Sequence, residues 1–320
     1  RLVGSEMCIR DSFYIFGGKD ERSQDLIQGI TLAGVFFDEV ALMPESFVNQ
    51  ATGRCSVDGS KYWFNCNPDG PYHWFKTGWI DKREEKHLLY LHFTMDDNLS
   101  LSEKIKERYR SMYTGVFYRR YILGLWAMAE GIIYDMFDTA KHVISNLSEL
   151  TNANYYVSCD YGTQNATVFL LWCKDRLGRW VCCCEYYYSG RDEERQKTDT
   201  EYADDLEQWL DGIKPVKIVI DPSAASFIAE LKKRGYAIKK AKNDVLDGIR
   251  FVASLLNQGK IAISDQCPNT IKEFGSYIWD QKASERGEDK PVKQHDHAMD
   301  ALRYFCYTII RKPGSISILK

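Results

Sequence analysis

Three short stretches, far apart in the chain, each place an acidic residue where a regular element ends or turns: Tyr156-Val-Ser-Cys-Asp160-Tyr-Gly, Ile218-Val-Ile-Asp221-Pro and Asp296-His-Ala-Met-Asp300-Ala-Leu-Arg-Tyr304. The first two carboxylates close apolar, β-prone runs, and the third stretch has helical spacing. Two parallel strands lying side by side, with a helix packed near their ends, would gather three carboxylates in one place. Like charges at that range repel strongly in a low dielectric, so such a cluster calls for a cation. Oxygen donors of this kind suit Mg2+ or Mn2+, and two such ions about 3.5–4 Å apart can activate a water and stabilise a departing 3′ oxygen. Asp160, Asp221 and Asp300 are therefore the expected metal ligands and catalytic carboxylates. Asp296 and Asp300 share a helix face at i and i+4, while His297 stands about 100° aside as an outer ligand or proton shuttle. Each residue also has a duller reading: Asp160 and Asp221 as turn formers, Asp296 as a charge favoured at a helix N-terminus, Asp300 as a partner for Arg303. Glu185 lies within a strand-like run whose neighbours do not fix its face.

The chain of 320 residues, 44% hydrophobic and 27% charged, is long enough for two soluble domains. Its apolar stretches fall short of the roughly 20 residues needed to span a bilayer, so no membrane partner is expected. Ten cysteines are dispersed, several in strand-like runs such as Val181-Cys-Cys-Cys-Glu185 and none in a CxxC pair. They read as reduced core thiols rather than as disulfides or a zinc site. A net charge of −3 argues against nucleic-acid binding over the whole surface, although Lys232, Lys233, Arg234, Lys239, Lys240 and Lys242 form a local basic patch.

Residues 1–12, Arg-Leu-Val-Gly-Ser-Glu-Met-Cys-Ile-Arg-Asp-Ser, fit no periodic pattern and read as a non-native leader. From 13 to 125 short strands and helices alternate: strands near 13–16, 32–37, 61–66 and 87–93, and helices near 44–54 and 102–110. A Gly- and aromatic-rich stretch followed by polar residues makes 126–153 the expected linker. Beyond it, 154–159, 167–173 and 180–188 read as three successive strands, with a hairpin turn at 176–178. Helix 200–210, strand 216–220, helices 225–234 and 245–258, and a closing helix 294–310 follow. Three strands and then alternating helix and strand is the element order of an RNase H-like domain, here spanning 154–320.

In Leu32-Ala-Gly-Val-Phe-Phe-Asp38-Glu39-Val an apolar strand delivers two adjacent carboxylates, the layout of a Walker B element. There Asp38 would hold the Mg2+ of a bound nucleotide, and Glu39 would orient or deprotonate the attacking water. The next strand ends in Asn65-Cys-Asn67-Pro68, suited to sensing the γ-phosphate region. Nothing upstream of Asp38 matches GxxxxGK[ST], and Gly17-Gly18-Lys19 is too short to replace it, so poor nucleotide binding is expected.

These motifs together resemble the large subunit of a tailed-bacteriophage terminase, of the PBSX-like kind and lacking its N-terminal part, over nearly everything after residue 13. The resemblance implies an α/β chain in which a partial P-loop NTPase-like domain, 13–125, precedes an RNase H-like nuclease. It implies an endonuclease that cuts concatemeric double-stranded DNA with Mg2+ or Mn2+, and the remnant of an ATP-driven translocation motor. Asp38 and Glu39 would match the Walker B pair, Asn65 to Pro68 the coupling motif with Asn67 toward the nucleotide, and Asp160, Asp221 and Asp300 the nuclease carboxylates. Implied partners are double-stranded DNA, the portal protein, the terminase small subunit and further copies in a ring on the capsid, all in the bacterial host cytoplasm. Two other readings stay open: a transposase- or resolvase-type nuclease, and a structural motor component without catalysis.

Overall fold

The computed structural model describes residues 12–18, 20–145, 147, 150, 154–162 and 165–311. The leader expected at 1–12 lies almost wholly outside them, as does Lys19. The fold is α/β, and the described residues form two sheets of very different size.

The smaller sheet has two parallel strands, β1 (Gly34–Phe37) and β2 (Lys61–Phe64), joined through helix α1 (Glu45–Gly53). Phe37 faces Phe64 in register, and their rings stack with centroids 5.1 Å apart. Alternation along β1 sends Phe37 into a core with Val40, Phe47, Val48, Ala51, Phe75 and Ile80, while Phe36 points the other way. That outer face is bare: Phe36 is 60% and Trp63 54% exposed.

Residues 13–16 and 87–93, expected as strands, are not strands. Both have β-like composition, but a strand needs a ladder partner, and neither finds one among the described residues. Phe13, Ile15, Leu89, Leu91 and Phe93 consequently stay exposed. Helices α2 (Glu103–Met112) and α3 (Gly115–Tyr121) come next. The expected linker 126–153 holds the short helix α4 (Thr139–His142) and strand β3 (Val143–Ile144). Its Ala129, Ile133 and Tyr134 are buried in the larger core together with Phe117 and Ile122.

The larger sheet has seven strands in the order β3-β9-β6-β5-β4-β7-β8. Its centre is the expected antiparallel trio, β4 (Tyr156–Asp160), β5 (Ala166–Lys174) and β6 (Trp180–Ser189). Helix α5 (Asp199–Leu210) leads to β7 (Lys217–Ile220), parallel to β4, and α6 (Ala225–Lys233) leads to the edge strand β8 (Ile238–Lys240). Then come α7 (Val245–Asn257), β9 (Ile261–Ser264), α8 (Pro268–Ser276), α9 (Gln281–Glu285) and α10 (His297–Phe305), which ends in a π turn at Cys306–Ile310. The closing helix was expected from 294; residues 294–296 are not helical, and Asp296 is the residue before its first turn.

The uninterrupted apolar run of β5 shows that helices cover both faces. Val168, Leu170 and Trp172 pack with Met299, Leu302 and Phe305 of α10, while Phe169 and Leu171 pack with Tyr202, Leu206, Phe227 and Leu231 of α5 and α6. Trp172 stacks on Phe305 at 4.4 Å, which seats α10 across β4 and β5. The nine cysteines among the described residues are all free thiols, six of them buried. No helix among the described residues is long and apolar enough to cross a membrane.

Candidate metal and nucleotide sites

Strands β4 and β7 run parallel with Cys159 opposite Ile220, so the next residue on each is an aspartate, Asp160 and Asp221. Helix α10 brings His297 to Asp160, Nδ1 to Oδ2 at 3.0 Å. One turn further on, the Asp300 carboxylate accepts from Arg303 Nη2 at 2.7 Å and from Lys293 Nζ at 3.0 Å. Lys293 also pairs with Asp296 at 3.0 Å. The Arg303 guanidinium is buried and donates onward to the carbonyls of Asn243 and Asp244. Its stem lies against Gly248, where a Cβ would come within 2.6 Å of Arg303 Cγ; a glycine on α7 makes the room.

Asp160, Asp296, His297 and Asp300 line one cleft of about 410 Å³ with Tyr187, Arg191 and Lys293. Asp221 is not among its lining residues. It accepts from the Ser223 amide at 2.8 Å and from Asn243 Nδ2 at 3.3 Å, with Tyr304 as a further donor. The sequence-predicted set is thus gathered in part: Asp160, His297 and Asp300 together, Asp221 at the neighbouring strand end. Among the described residues, no three His, Cys, Asp or Glu side chains already stand as a group that could hold a metal ion.

The electrostatics of the cleft follow from burial. The Asp160 carboxyl is pushed up to about 6, first by burial and then by the charges of Asp300 and Asp296, against the pull of its bond to His297. Burial disfavours protonation of His297, but its hydrogen bond to Asp160 and that carboxylate's charge outweigh burial and hold its pKa above the usual histidine range. Asp221 goes the other way: burial is outweighed by the donors from Ser223, Asn243 and Tyr304, which hold it below the ordinary carboxylate range.

At the end of the small sheet, Asp38 and Asn65 are the residues after a registered pair. Asn65 Nδ2 donates to Asp38 at 3.0 Å, and its Oδ1 accepts the Glu39 amide at 2.7 Å. Asn67 Nδ2 donates to both Glu39 carboxylate oxygens, at 3.2 and 3.3 Å. Glu39 has φ 58°, a left-handed conformation uncommon for a residue with a side chain. Burial raises its pKa, and the neighbouring Asp38 charge adds to the rise. Asp38, Glu39 and Asn67, expected from two separate stretches, share one constellation.

Residues 8–141 match the family model for the N-terminal part of terminase large subunits of T4likevirus type, and residues 184–307 match the terminase RNaseH-like domain. The chain is 63% identical to the large terminase of the thermophilic bacteriophage D6E solved in complex with ADP, with a TM-score of 0.86 over 94% of this chain and 74% of that one. The chain belongs to the phage terminase large subunits. The same D6E protein in complex with ATP-gamma-S superposes with a TM-score of 0.84, covering 89% of this chain and 72% of that one. The large subunit of Escherichia phage T5 is 25% identical over 293 residues, 87% of this chain and 65% of the T5 protein.

Within this terminase fold, two acidic residues have roles that spacing does not reveal. Glu185 is not among the residues lining the acidic cleft; it caps α8, accepting from the amides and side chains of Asn269 and Thr270 at 2.7–2.9 Å. Glu273, which sequence reasoning passed over, accepts the Ala298 and Met299 amides at the start of α10. A local signal for α8 is Pro268 at its first turn, a position that favours proline. The basic patch is divided. Arg234 is engaged by Asp204, Glu207 and Glu230, while Lys232, Lys239, Lys240 and Lys242 are exposed.

Proposed function

We propose that this chain cuts concatemeric double-stranded DNA with Mg2+ or Mn2+ as the nuclease part of a phage packaging motor, Asp160, Asp221 and Asp300 being the metal ligands. One observation carries the reading: Asp160, Asp296 and Asp300 converge with His297 on one cleft over the large sheet, where burial and their mutual charge raise Asp160 to about 6. Carboxylate oxygens clustered in this way fit a hard divalent cation, which would take over the neutralisation that Lys293 and His297 now supply. When bound, the cation supplies an activated water and stabilisation of the departing 3′ oxygen.

The chain's own residues do the rest. Lys293 neutralises Asp296 and Asp300 and must cede Asp300 for it to serve as a ligand. Arg303, buried and tied to the carbonyls of Asn243 and Asp244 just before α7, keeps the second Asp300 oxygen in place throughout. Asp160 engages His297 at Nδ1, so the imidazole is oriented and Nε2 is the nitrogen left to exchange a proton with solvent or substrate. Exposed Lys239 and Lys240 on β8 and Lys242 just after it lie beside β7, whose end carries Asp221, and would contact phosphate without reading bases.

In the other half, Asp38 would hold the Mg2+ of ATP, Glu39 would orient the attacking water, and Asn67 would keep the Glu39 carboxylate aimed. The nucleotide-site half comprises 13–125 and the nuclease half 154–320, with 126–153 joining them. The partners fitting this role are double-stranded DNA, the portal, the small subunit and further copies in a ring, in the host cytoplasm.

The test is Mn2+-dependent nicking of supercoiled plasmid. Asp160→Ala should abolish it, a loss of at least about 1,000-fold, with an unchanged far-UV spectrum. Retained cleavage would remove Asp160 from the site.

A further inference from the structure

Helix α10 carries His297 and Asp300, and its first turn is capped from another helix. An aspartate in the position before a helix ordinarily turns its carboxylate back onto the amides of the first turn. Asp296 stands there and makes no such bond; its carboxylate reaches Lys293 in the cleft instead. The missing acceptor comes from Glu273 on α8. Its Oε2 accepts the Ala298 amide at 2.7 Å and the Met299 amide at 3.2 Å, and its Oε1 accepts the Tyr187 hydroxyl at 2.9 Å. Glu273 is 3% exposed, and Tyr187 lines the cleft. One buried side chain therefore joins β6, α8 and α10 beside the acidic residues.

We propose that Glu273 is a positioning residue of the acidic cleft: by capping α10 in place of Asp296, it leaves Asp296 in the cleft and fixes how His297 and Asp300 are presented. The proposal rests on the endonuclease reading above. Each backbone amide has one hydrogen to donate, and with two of them given to Glu273 the Asp296 carboxylate is not drawn back to the helix. The body of α10 is held independently by the burial of Met299, Leu302 and Phe305. Losing the cap should therefore loosen the first turn, where the site residues sit, without unfolding the helix.

The experiment compares the full chain with Glu273→Ala, Glu273→Gln and Asp160→Ala by three readouts: Mn2+ affinity by electron paramagnetic resonance, amide exchange at Ala298 and Met299, and the kcat and KM of Mn2+-dependent plasmid nicking. Glu273→Ala should weaken Mn2+ binding and lower kcat by about ten-fold each, with KM for DNA within about two-fold, because it displaces groups at the reacting centre rather than the DNA-contacting surface. Exchange of the two amides should rise about ten-fold on loss of their acceptor. Glu273→Gln keeps an amide oxygen for the two amides and should recover most of all three. Wild-type Mn2+ affinity and kcat in Glu273→Ala, with Asp160→Ala inactive, would overturn the positioning role and leave the endonuclease reading standing. Should the wild type fail to nick DNA, the endonuclease reading falls; Mn2+ affinity and amide exchange unchanged in Glu273→Ala would then overturn the positioning role as well. If Glu273→Ala does not fold, Glu273→Met, of similar size but without an acceptor, takes its place against Glu273→Gln with the same two outcomes.

Discussion

The two sheets hold their sites by different means. In the seven-stranded sheet both faces are covered, and Trp172 at its centre is fully buried, so Asp160 and Asp300 are placed by packing of α10 on β4 and β5. In the two-stranded sheet one face is open, and Asp38 and Glu39 are placed by side-chain hydrogen bonds from Asn65 and Asn67 within a small core. A site fixed by a large core inherits its rigidity from many contacts. One fixed by a few hydrogen bonds, each worth about 0.5–1.5 kcal/mol, can change its geometry at little cost. That difference suits the proposed roles: a nuclease centre needing fixed carboxylates, and a nucleotide sensor whose Asn65–Asn67 strand end must respond to its ligand.

Paired substitutions sharpen the contrast. Trp172→Ala should cost about 3–5 kcal/mol in urea unfolding, the range for a large buried aromatic, whereas Trp63→Ala on the open face should cost under about 1 kcal/mol. Equal losses would mean that the outer face of the small sheet is covered in solution. The next effect lies where the halves meet. Arg120 on α3 is buried, paired with Asp289 and with Asp69 at 2.8 Å, and donates to the Ala127 carbonyl. Arg120→Ala leaves the buried Asp289 without its cation and should cost about 3 kcal/mol. A loss below about 1 kcal/mol would show that water reaches Asp289 and that the junction is loose.

The smallest effect is a pH dependence. Glu273 is raised from an ordinary 4.5 to about 7, by burial first, against the donors from Tyr187, Met299 and Ala298. A carboxyl raised on folding binds its proton more tightly in the native state. Its contribution to stability is full below about pH 4.5 and is lost as the pH rises through about 7. Denaturation midpoints measured across that window should show this decline in the wild type and a flatter profile in Glu273→Gln. Identical profiles would mean that Glu273 titrates normally.

The sequence was most legible where a pattern is local. The apolar run of β5, the carboxylates at the ends of β4 and β7, and the Asp38-Glu39 step after β1 are each read from one element and its end, and each sits where the pattern implies. Residues 13–16 and 87–93 share that apolar composition, but a strand depends on a partner that composition does not contain. Roles that depend on distant contacts were not legible. Glu185 and Glu273 look alike in sequence as acidic residues on regular elements, yet each is spent capping a helix whose position only the packed sheet defines. The same limit applies to Asp221: the strand ending announced the carboxylate, but its donors Asn243 and Tyr304 lie 22 and 83 residues further along the sequence. Strand β8, with one apolar residue among its three, and the four-residue β9 were not read from the sequence.

The central claim is that carboxylates from β4, β7 and α10 serve one cation centre. Anomalous difference density from crystals grown with Mn2+ tests it most directly. The account predicts a peak coordinated by Asp160 and Asp300, with Asp221 swung from Asn243 to join them and Lys293 displaced from Asp300. A peak elsewhere, or none at Asp160 and Asp300 with Mn2+ at saturating concentration, would contradict it.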